Sequence, residues 1–216
     1  VSVAPFITDT DNSDTKLHSV TVPTSGNYTE ALAQAVSQLS LQIPTFSLHK
    51  VKGIGHRIVH GGTQQQPAHI IDEEIMADMQ RFARFDPEHA PAALSIIAVL
   101  KERLPDTPQF ACFDTAFFHD IPRVAQLTTL PRRYEAKGLR RYGFHGISYD
   151  YLLKDIIRRY PEASQEKIIF AHLGGGASLA AVENGKPVDM TMGFSPTSGI
   201  VMSSRTGNVD PSIFGF

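Results

Sequence analysis

The segment EKIIFAHLGGGASLAAVENGKPVDM, residues 166–190, constrains the fold most, because three consecutive glycines separate two apolar runs. The run before the glycines predicts a buried strand, and the run after them predicts two strands joined by Asn184-Gly185, a strong hairpin signal. The glycines therefore join strand to strand. Consecutive glycines suit either a tight turn or a loop whose backbone N–H groups lie open to a ligand, and the sequence leaves both possibilities open.

Two familiar phosphate sites are excluded by this arrangement. The dinucleotide fingerprint and the P-loop both run from a strand into a helix, and the P-loop also needs a Gly-Lys-Ser/Thr ending that GGGAS lacks. A glycine loop between two strands can still bind an anion through successive backbone N–H groups. His172, just before the glycines, is placed to add a donor.

Composition favours small partners over polymers or membranes. The 216 residues carry a formal net charge of -2, which gives no broad attraction for nucleic acid or anionic lipid. The single cysteine, Cys112, can form no internal disulfide, and the opening residues 1–16 show no basic-then-apolar signal pattern. We therefore expect a cytoplasmic protein. The start without methionine and the helix-like ending DPSIFGF predict an excerpt of a longer chain.

In the first half of the chain, periodicity predicts three helices and two strands. Apolar spacing predicts helices in YTEALAQAVSQLS, IDEEIMADMQRFARF and APAALSIIAVLKERL. VKGIGHRIVHGG predicts a strand that places His56, Ile58 and His60 on one face and Arg57 and Val59 on the other. QFACF predicts a second, short strand.

Asp114 comes directly after QFACF, and this position suits either a ligand-handling carboxylate or a helix cap. GFHG holds His145 between two glycines, as expected of a loop that presents an imidazole to a ligand, and Ser148 is a candidate cap of the next helix. The glycine- and serine-rich segment around Arg205 is either a surface loop or a loop that faces the substrate. His89 lies in the loop DPEHAP, where it can reach a pocket or face water.

Two histidines four residues apart raise the alternative of a metal hydrolase that uses His56, His60 and Asp114. Two histidines four residues apart can bind one zinc ion from a helix, but this segment predicts a strand. In addition, no glutamate lies between the two histidines. We rank this reading last.

Five motifs, in order, resemble the acetate kinase family, which includes propionate and butyrate kinases. They are GHRIVHGG, FDTAFF, LRRYGFHGIS, HLGGGAS and TMGFSPTSGIVMSSRTGNVDP, and the resemblance runs from about Gly53 to Phe216. It implies an α/β fold of two actin-like domains, as in the superfamily of acetate and sugar kinases, chaperone ATPases and actin, each incomplete in this chain. Residues 1–120 would be the remainder of the N-terminal domain, and 121–216 the first part of the second, with the glycine-rich phosphate hairpin.

The resemblance also implies an activity, which is in-line phosphoryl transfer between ATP and acetate or another short-chain carboxylate, giving acyl phosphate and ADP. Magnesium would be the metal, the cytoplasm the location and a homodimer the assembly, without nucleic acid or membrane. The residues carried over as catalytic are Arg57, Asp114, His145 and Arg205, with Asp114 also on magnesium. Those carried over as substrate-binding are Arg57, Val59, His89 and Phe144. Those carried over as binding phosphate or ATP are His172, Leu173, Gly174, Gly175 and Gly176.

Three positions depart from the family pattern. Gly175 stands where the family usually has asparagine, Ser198 where it has glutamate, and Asn208 where it has aspartate. These departures support a second hypothesis, a truncated or diverged relative that binds an anion or a partner subunit without catalysis.

Overall fold

The computed structural model describes residues 28–43, 46–62, 64 and 66–216, together with the backbone of residues 2–3 and 20–21. The opening segment without a signal pattern lies, apart from residues 2–3, outside the described residues. Contacts divide the chain into two compact units, one formed by Val1–Ile54 and Ala92–Gln109 and the other by Gly55–Pro91 and Phe110–Phe216. The boundary predicted after residue 120 falls inside the second unit and stays a prediction.

Helices and strands alternate irregularly along the chain. The strands are β1 (Ser2–Val3), β2 (Val20–Thr21), β3 (Ile54–Ile58), β4 (Ala68–Ile70), β5 (Gln109–Phe113), β6 (Lys167–Leu173), β7 (Ala177–Glu183) and β8 (Lys186–Met190). The α-helices are α1 (Tyr28–Gln42), α2 (Glu73–Phe82), α3 (Ala90–Arg103), α4 (Arg123–Gln126) and α5 (Gly146–Arg159). Short 3₁₀ helices cover Leu48–Lys50, Ala83–Phe85, Ala116–Phe118, Arg132–Lys137, Pro161–Gln165 and Pro211–Gly215. The three predicted helices of the first half are thus confirmed.

The first unit contains the antiparallel pair of β1 and β2, the helix α1 and nearly all of α3. Within it, the buried Gln109 side chain donates to the carbonyl of Ile97 in α3, which ties that helix to the start of β5. No helix in the described part of the chain combines the length and the apolar character that crossing a membrane requires.

The second unit holds two three-stranded sheets, and the first of them has the order β3-β5-β4. The backbone N–H of Asp114 donates to the carbonyl of Ile58, while that of Ile54 donates to Pro108, so β3 and β5 run in the same direction. β4 is antiparallel to β5. The carboxyl ends of β3 and β5 therefore meet at one edge, which is where α/β sheets place ligand-handling groups.

The second sheet is the antiparallel meander β6-β7-β8, as predicted from the glycine segment and the Asn-Gly pair. Asn184 and Gly185 both have positive φ, of 50° and 71°, as a tight hairpin turn of this type requires. The prediction that β6 is buried is wrong, because β6 is an edge strand whose Ile169 and Leu173 side chains are exposed. A continuous apolar run indicates that a strand packs against a core. It does not show whether one face of the strand is covered or both.

Helix α5 packs against this sheet and closes the core of the second unit. Tyr149 and Leu153 on the helix are buried with Phe170, Val182 and other side chains of the sheet. The prediction that Ser148 caps this helix is wrong, since α5 begins two residues earlier, after His145. The amphipathic pattern predicted the helix. Its first turn is fixed by a long-range backbone contact with the residue that follows β5, which the local sequence does not show.

Candidate functional site

A pocket of about 410 Å³ opens in the second unit, beside the carboxyl ends of β3 and β5. Its lining consists of Arg57, Val59, His89, Asp114, Phe144, His145, Ile147, Ser148, His172, Gly176, Pro196 and Arg205. Most of the residues singled out from the sequence are therefore brought together, although they come from six separate stretches of chain. Of the residues carried over from the acetate kinase resemblance, three are not in the lining, namely Leu173, Gly174 and Gly175.

Arg57 and Asp114 form an ion pair at the strand ends. Arg57 Nε lies 3.0 Å and Nη2 2.5 Å from Asp114 Oδ2, and the Asp114 side chain is buried while that of Arg57 is half exposed. The carboxylate thus orients the guanidinium and leaves part of it open to the pocket. The helix-cap alternative for Asp114 is wrong, because the following 3₁₀ helix starts after Thr115 and has no side-chain cap.

The same residue also holds the loop that carries His145. The carbonyl of Asp114 accepts from the backbone N–H of Gly146 at 2.9 Å, and a Cβ on Gly146 would lie 2.1 Å from that carbonyl oxygen. Gly143, on the other side, has φ +72°, and a Cβ there would lie 2.4 Å from the Phe118 ring. The two glycines of GFHG are therefore required by close packing and backbone conformation.

His145 itself adopts φ 62°, a left-handed conformation that few side chains accept. Its ring stacks on His172, with centroids 3.9 Å apart and planes 15° from parallel. Burial lowers the pKa of His145 to about 4, and the neighbouring His172, Arg57 and Arg205 act in the same direction. The imidazole is therefore neutral at neutral pH and can serve as a hydrogen-bond donor without carrying charge.

Arg205 enters the pocket on a glycine-rich loop. Its Nη1 donates to the carbonyl of Pro196 at 3.2 Å, and its Nη2 lies 3.1 Å from Glu88 Oε2. The loop is closed by Asn208, whose Oδ1 accepts from Gly199 N–H and whose own N–H donates to the Gly199 carbonyl. The departure at Asn208 therefore supports the loop that positions Arg205.

Ser198, the second departure from the family pattern, has a similar structural role. Its Oγ accepts from the N–H of Gly193 at 2.8 Å. Neither Ser198 nor Asn208 offers a carboxylate to Arg205, so the acidic partner of this arginine is Glu88 from a different segment.

The glycine loop between β6 and β7 is a tight turn and also has room for a ligand. Gly174 N–H donates to the Gly176 carbonyl, whereas the N–H groups of Gly175 and Gly176 donate to no acceptor in the described part of the chain. None of the three glycines has a positive φ that would require glycine. A Cβ on Gly176 would lie 3.2 Å from His145 Nε2, so a side chain there would enter the pocket.

His60, the other histidine of interest, lies outside the pocket in a cage of aromatic rings. It stacks on Phe82 at 5.2 Å and meets Tyr142 edge-on at 4.6 Å, and its Nδ1 accepts from Gly62 N–H. Within the described residues no group of three His, Cys, Asp or Glu side chains could hold a metal ion. The alternative of a zinc site with His56, His60 and Asp114 is therefore not supported.

Sequence reasoning missed several residues of the site. Ile147, Ser148 and Pro196 line the pocket beside the predicted residues, and each is a close sequence neighbour of one of them or of their motifs. Ser178 lies behind His145, 2.8 Å from its Nδ1. Its place in the GGGAS motif, directly opposite His172 in the β6 and β7 pairing, was the available signal.

Comparison with known proteins gives a consistent result. The sequence matches the Acetokinase family over residues 5–216. An acetate kinase of Bacillus mycoides is 42% identical over 174 residues, which are 79% of this chain and 43% of that protein. An acetate kinase of Chromobacterium violaceum is 36% identical over 212 residues, which are 97% of this chain and 52% of that protein.

Solved structures agree with the sequence matches. The crystal structure of Porphyromonas gingivalis acetate kinase matches with a TM-score of 0.80 at 33% identity, covering 92% of this chain and 51% of that chain. A propionate kinase from Francisella tularensis matches with a TM-score of 0.81 at 32% identity and the same coverage. The chain thus spans about half the length of the relatives that it matches. The predicted fold class, α/β with incomplete actin-like domains, is confirmed, and the chain belongs to the acetokinase family.

Proposed function

We propose that the protein transfers a phosphoryl group between ATP and acetate or another short-chain carboxylate, giving acyl phosphate and ADP. The observation that carries this proposal is the convergence of Arg57, Arg205, His145, His172 and the glycine loop on one pocket. Phosphoryl transfer depends mainly on alignment and on fixed donors placed where negative charge spreads in the transition state. These groups supply such donors from three sides.

The carboxylate end of the pocket lies at the carboxyl end of β3. Arg57 keeps part of its guanidinium open, and a planar guanidinium can donate two parallel hydrogen bonds to a carboxylate. Val59 and Phe144 are buried neighbours that provide an apolar wall for the alkyl group of the acid. We propose His89 as a further lining residue of this end, held by Asp86 at 2.7 Å from its Nδ1.

The phosphoryl end lies between Arg205, His145 and the glycine loop. Arg205 would stabilise charge on the transferring group, neutral His145 would donate to one of its oxygens, and His172 would support the ring of His145 by stacking. The open N–H groups of Gly175 and Gly176 suit the adjoining phosphate oxygens. We include Leu173 and Gly174 in the phosphate-binding proposal as the flanks of this turn.

Asp114 is the residue that would hold magnesium. Both hydrogen bonds from Arg57 go to Oδ2, and Oδ1 takes none from the described side chains, so one oxygen of this carboxylate remains as a ligand at the pocket. Magnesium is commonly bound by one or two carboxylates together with substrate phosphates and water, so this single carboxylate fits the ion. When bound, magnesium neutralises charge on the phosphate oxygens.

The second candidate function is anion or partner binding without transfer. It is favoured by Gly175, Ser198 and Asn208, because Ser198 and Asn208 bond to backbone groups where the resemblance implies carboxylates. A protein of this kind would bind phosphate at the glycine loop but form no product.

Trapping of acyl phosphate as hydroxamate tests the proposal. The protein is incubated with magnesium, ATP and, separately, acetate, propionate or butyrate. Arg205→Ala should lower kcat about a thousandfold, as expected for an arginine that stabilises the transition state. Arg159→Ala, at the exposed end of α5, is the matched control and should keep the activity. Absence of product from the folded protein with all three acids would contradict the proposal and favour the second candidate.

We further propose that the protein works as a cytoplasmic homodimer, as its resemblance to acetate kinases implies. Sedimentation equilibrium at micromolar concentration should give twice the mass of the chain. A monomeric mass across the concentrations used in the assay would contradict this assembly.

A further inference from the structure

Three polar side chains form a chain of hydrogen bonds that runs from the protein core to the pocket. Tyr149 Oη lies 2.5 Å from Ser178 Oγ, and Ser178 Oγ lies 2.8 Å from His145 Nδ1. Tyr149 is 0% and Ser178 1% exposed, and neither lines the pocket. Buried polar groups of this kind need hydrogen-bond partners, so the positions of their protons are strongly constrained.

The proton of Tyr149 decides which groups donate and which accept along this chain of hydrogen bonds. Burial raises the pKa of Tyr149, so the phenol keeps its proton at neutral pH. In the described part of the chain, Ser178 Oγ is the one acceptor that this phenol reaches. If Ser178 donated to Tyr149 instead, the phenol proton would be buried without an acceptor, which costs about 1 to 3 kcal/mol.

The remaining protons follow from this first donor. Ser178 Oγ is buried and has no partner besides Tyr149 and His145 in the described part of the chain, so once it accepts from Tyr149 its own proton finds an acceptor only in Nδ1 of His145. An Nδ1 that accepts belongs to a neutral imidazole whose proton is on Nε2. The stack on His172 fixes the plane of the same ring.

Nε2 of His145 and Nη1 of Arg205 converge beside the glycine loop. A Cβ on Gly176 would lie 3.2 Å from the first and 3.5 Å from the second. With a proton on Nε2, His145 donates toward this point, beside the guanidinium of Arg205. With a lone pair there, His145 would repel an anionic oxygen held by Arg205.

We propose that Tyr149 and Ser178 are positioning residues that hold His145 as the tautomer protonated on Nε2, so that it donates to the anionic oxygen bound beside Arg205. This inference rests on the proposed function, because phosphoryl transfer supplies that oxygen. Tyr149 and Ser178 act only through His145 and touch no substrate.

The first experiment reads the tautomer without turnover. The protein is labelled with ¹⁵N-histidine, and the His145 signals are assigned by their absence in His145→Gln. At pH 7.5 the wild-type ring should show a protonated Nε2 and an unprotonated Nδ1. Ser178→Ala and Tyr149→Phe, which each remove one oxygen, should mix in the other tautomer. A wild-type ring protonated on Nδ1, or a tautomer unchanged in both variants, would overturn the proposal.

The second experiment is kinetic. Ser178→Ala and Tyr149→Phe should each lower kcat about tenfold with little change in KM, as for outer partners of a functional histidine. Tyr151→Phe, at an exposed tyrosine two residues along α5, and Ser164→Ala, at an exposed serine, are matched controls and should leave kcat unchanged. A loss confined to KM would contradict the positioning role. If no variant or wild type forms product while the tautomer shifts as stated, the proposed function fails and the tautomer assignment stands.

Discussion

His60 and His145 are both buried, and burial lowers the pKa of each to about 4, but their surroundings differ. His60 lies among rings, stacked on Phe82 and edge-on to Tyr142, and its Nδ1 is satisfied by a nearby backbone N–H. His145 is satisfied on Nδ1 by a serine and turns Nε2 toward a pocket. Burial and a low pKa therefore do not distinguish the two histidines, whereas the direction of the second ring nitrogen does.

The comparison also separates two kinds of contribution. The cage of His60 joins β3, α2 and the segment around Phe194, so its contacts hold elements together. The contacts of His145 fix one ring in one orientation. We therefore expect substitutions in the cage to change stability and substitutions at the pocket to change activity.

The largest expected effect is on catalysis, in His145→Gln. Loss of the donor should lower kcat about 100-fold or more, as for removal of one transition-state donor, because glutamine cannot take the place of the stacked ring. The free energy of unfolding in urea should fall by about 1 to 3 kcal/mol at most, because the buried Ser178 loses one hydrogen-bond partner. A kcat within threefold of wild type would remove the distinction between the two histidines.

His60→Ala should have the opposite profile. Deletion of a caged ring leaves a cavity among aromatic side chains, so we expect a loss of about 3 kcal/mol in the free energy of unfolding. For protein that remains folded at low temperature, kcat should stay within about threefold, since His60 does not line the pocket. Urea denaturation and the hydroxamate assay on the same preparation measure both quantities, and a stable but inactive variant would contradict the assignment.

Glycine substitutions extend the comparison to the backbone. Gly62 has φ +58°, and a Cβ there would lie 2.2 Å from the Phe82 ring, so Gly62→Ala should cost about 2 kcal/mol of stability. Gly174 has no positive φ, and a Cβ there would make only an ordinary contact, 3.5 Å from the Gly176 carbonyl oxygen, so Gly174→Ala is the matched control and should change stability by less than about 0.5 kcal/mol. Equal midpoints in thermal unfolding would show that the cage does not depend on this close approach.

Acid should destabilise the protein through both histidines. Each has a folded pKa of about 4, below the ordinary value of 6.5, so the unfolded chain takes up the proton first. Stability is therefore present above pH 6.5 and lost as the pH falls toward 4, by about 2 kcal/mol per histidine at pH 5. The free energy of unfolding, measured in urea from pH 7 to 5, should fall less steeply in His60→Ala. Parallel curves for variant and wild type would contradict this linkage for His60.

Local patterns predicted part of this site because some of its residues follow recognisable elements. Asp114 and His145 were identified from a strand end and a glycine-flanked loop, Arg57 was identified through the resemblance to acetate kinases, and all three line one pocket. The start of α5 was missed because it depends on a backbone hydrogen bond between Gly146 and the distant Asp114. The exposure of β6 was missed because hydrophobicity along a strand does not show which strands lie beside it.

The chain of hydrogen bonds from Tyr149 through Ser178 to His145 also could not be predicted from the sequence. Tyr149 and Ser178 are 29 residues apart and belong to a helix and a strand that meet only when the core of the second unit forms. Each of them, alone, fits an ordinary amphipathic pattern. Only their distances in the folded chain show that two core residues share a hydrogen-bond chain with a pocket histidine.

Asp114 connects the two ends of the pocket through one residue. Its carboxylate holds Arg57, and its carbonyl holds the first N–H of α5 next to His145. A displacement of this strand end would therefore move Arg57 and His145 together, since both are anchored on Asp114.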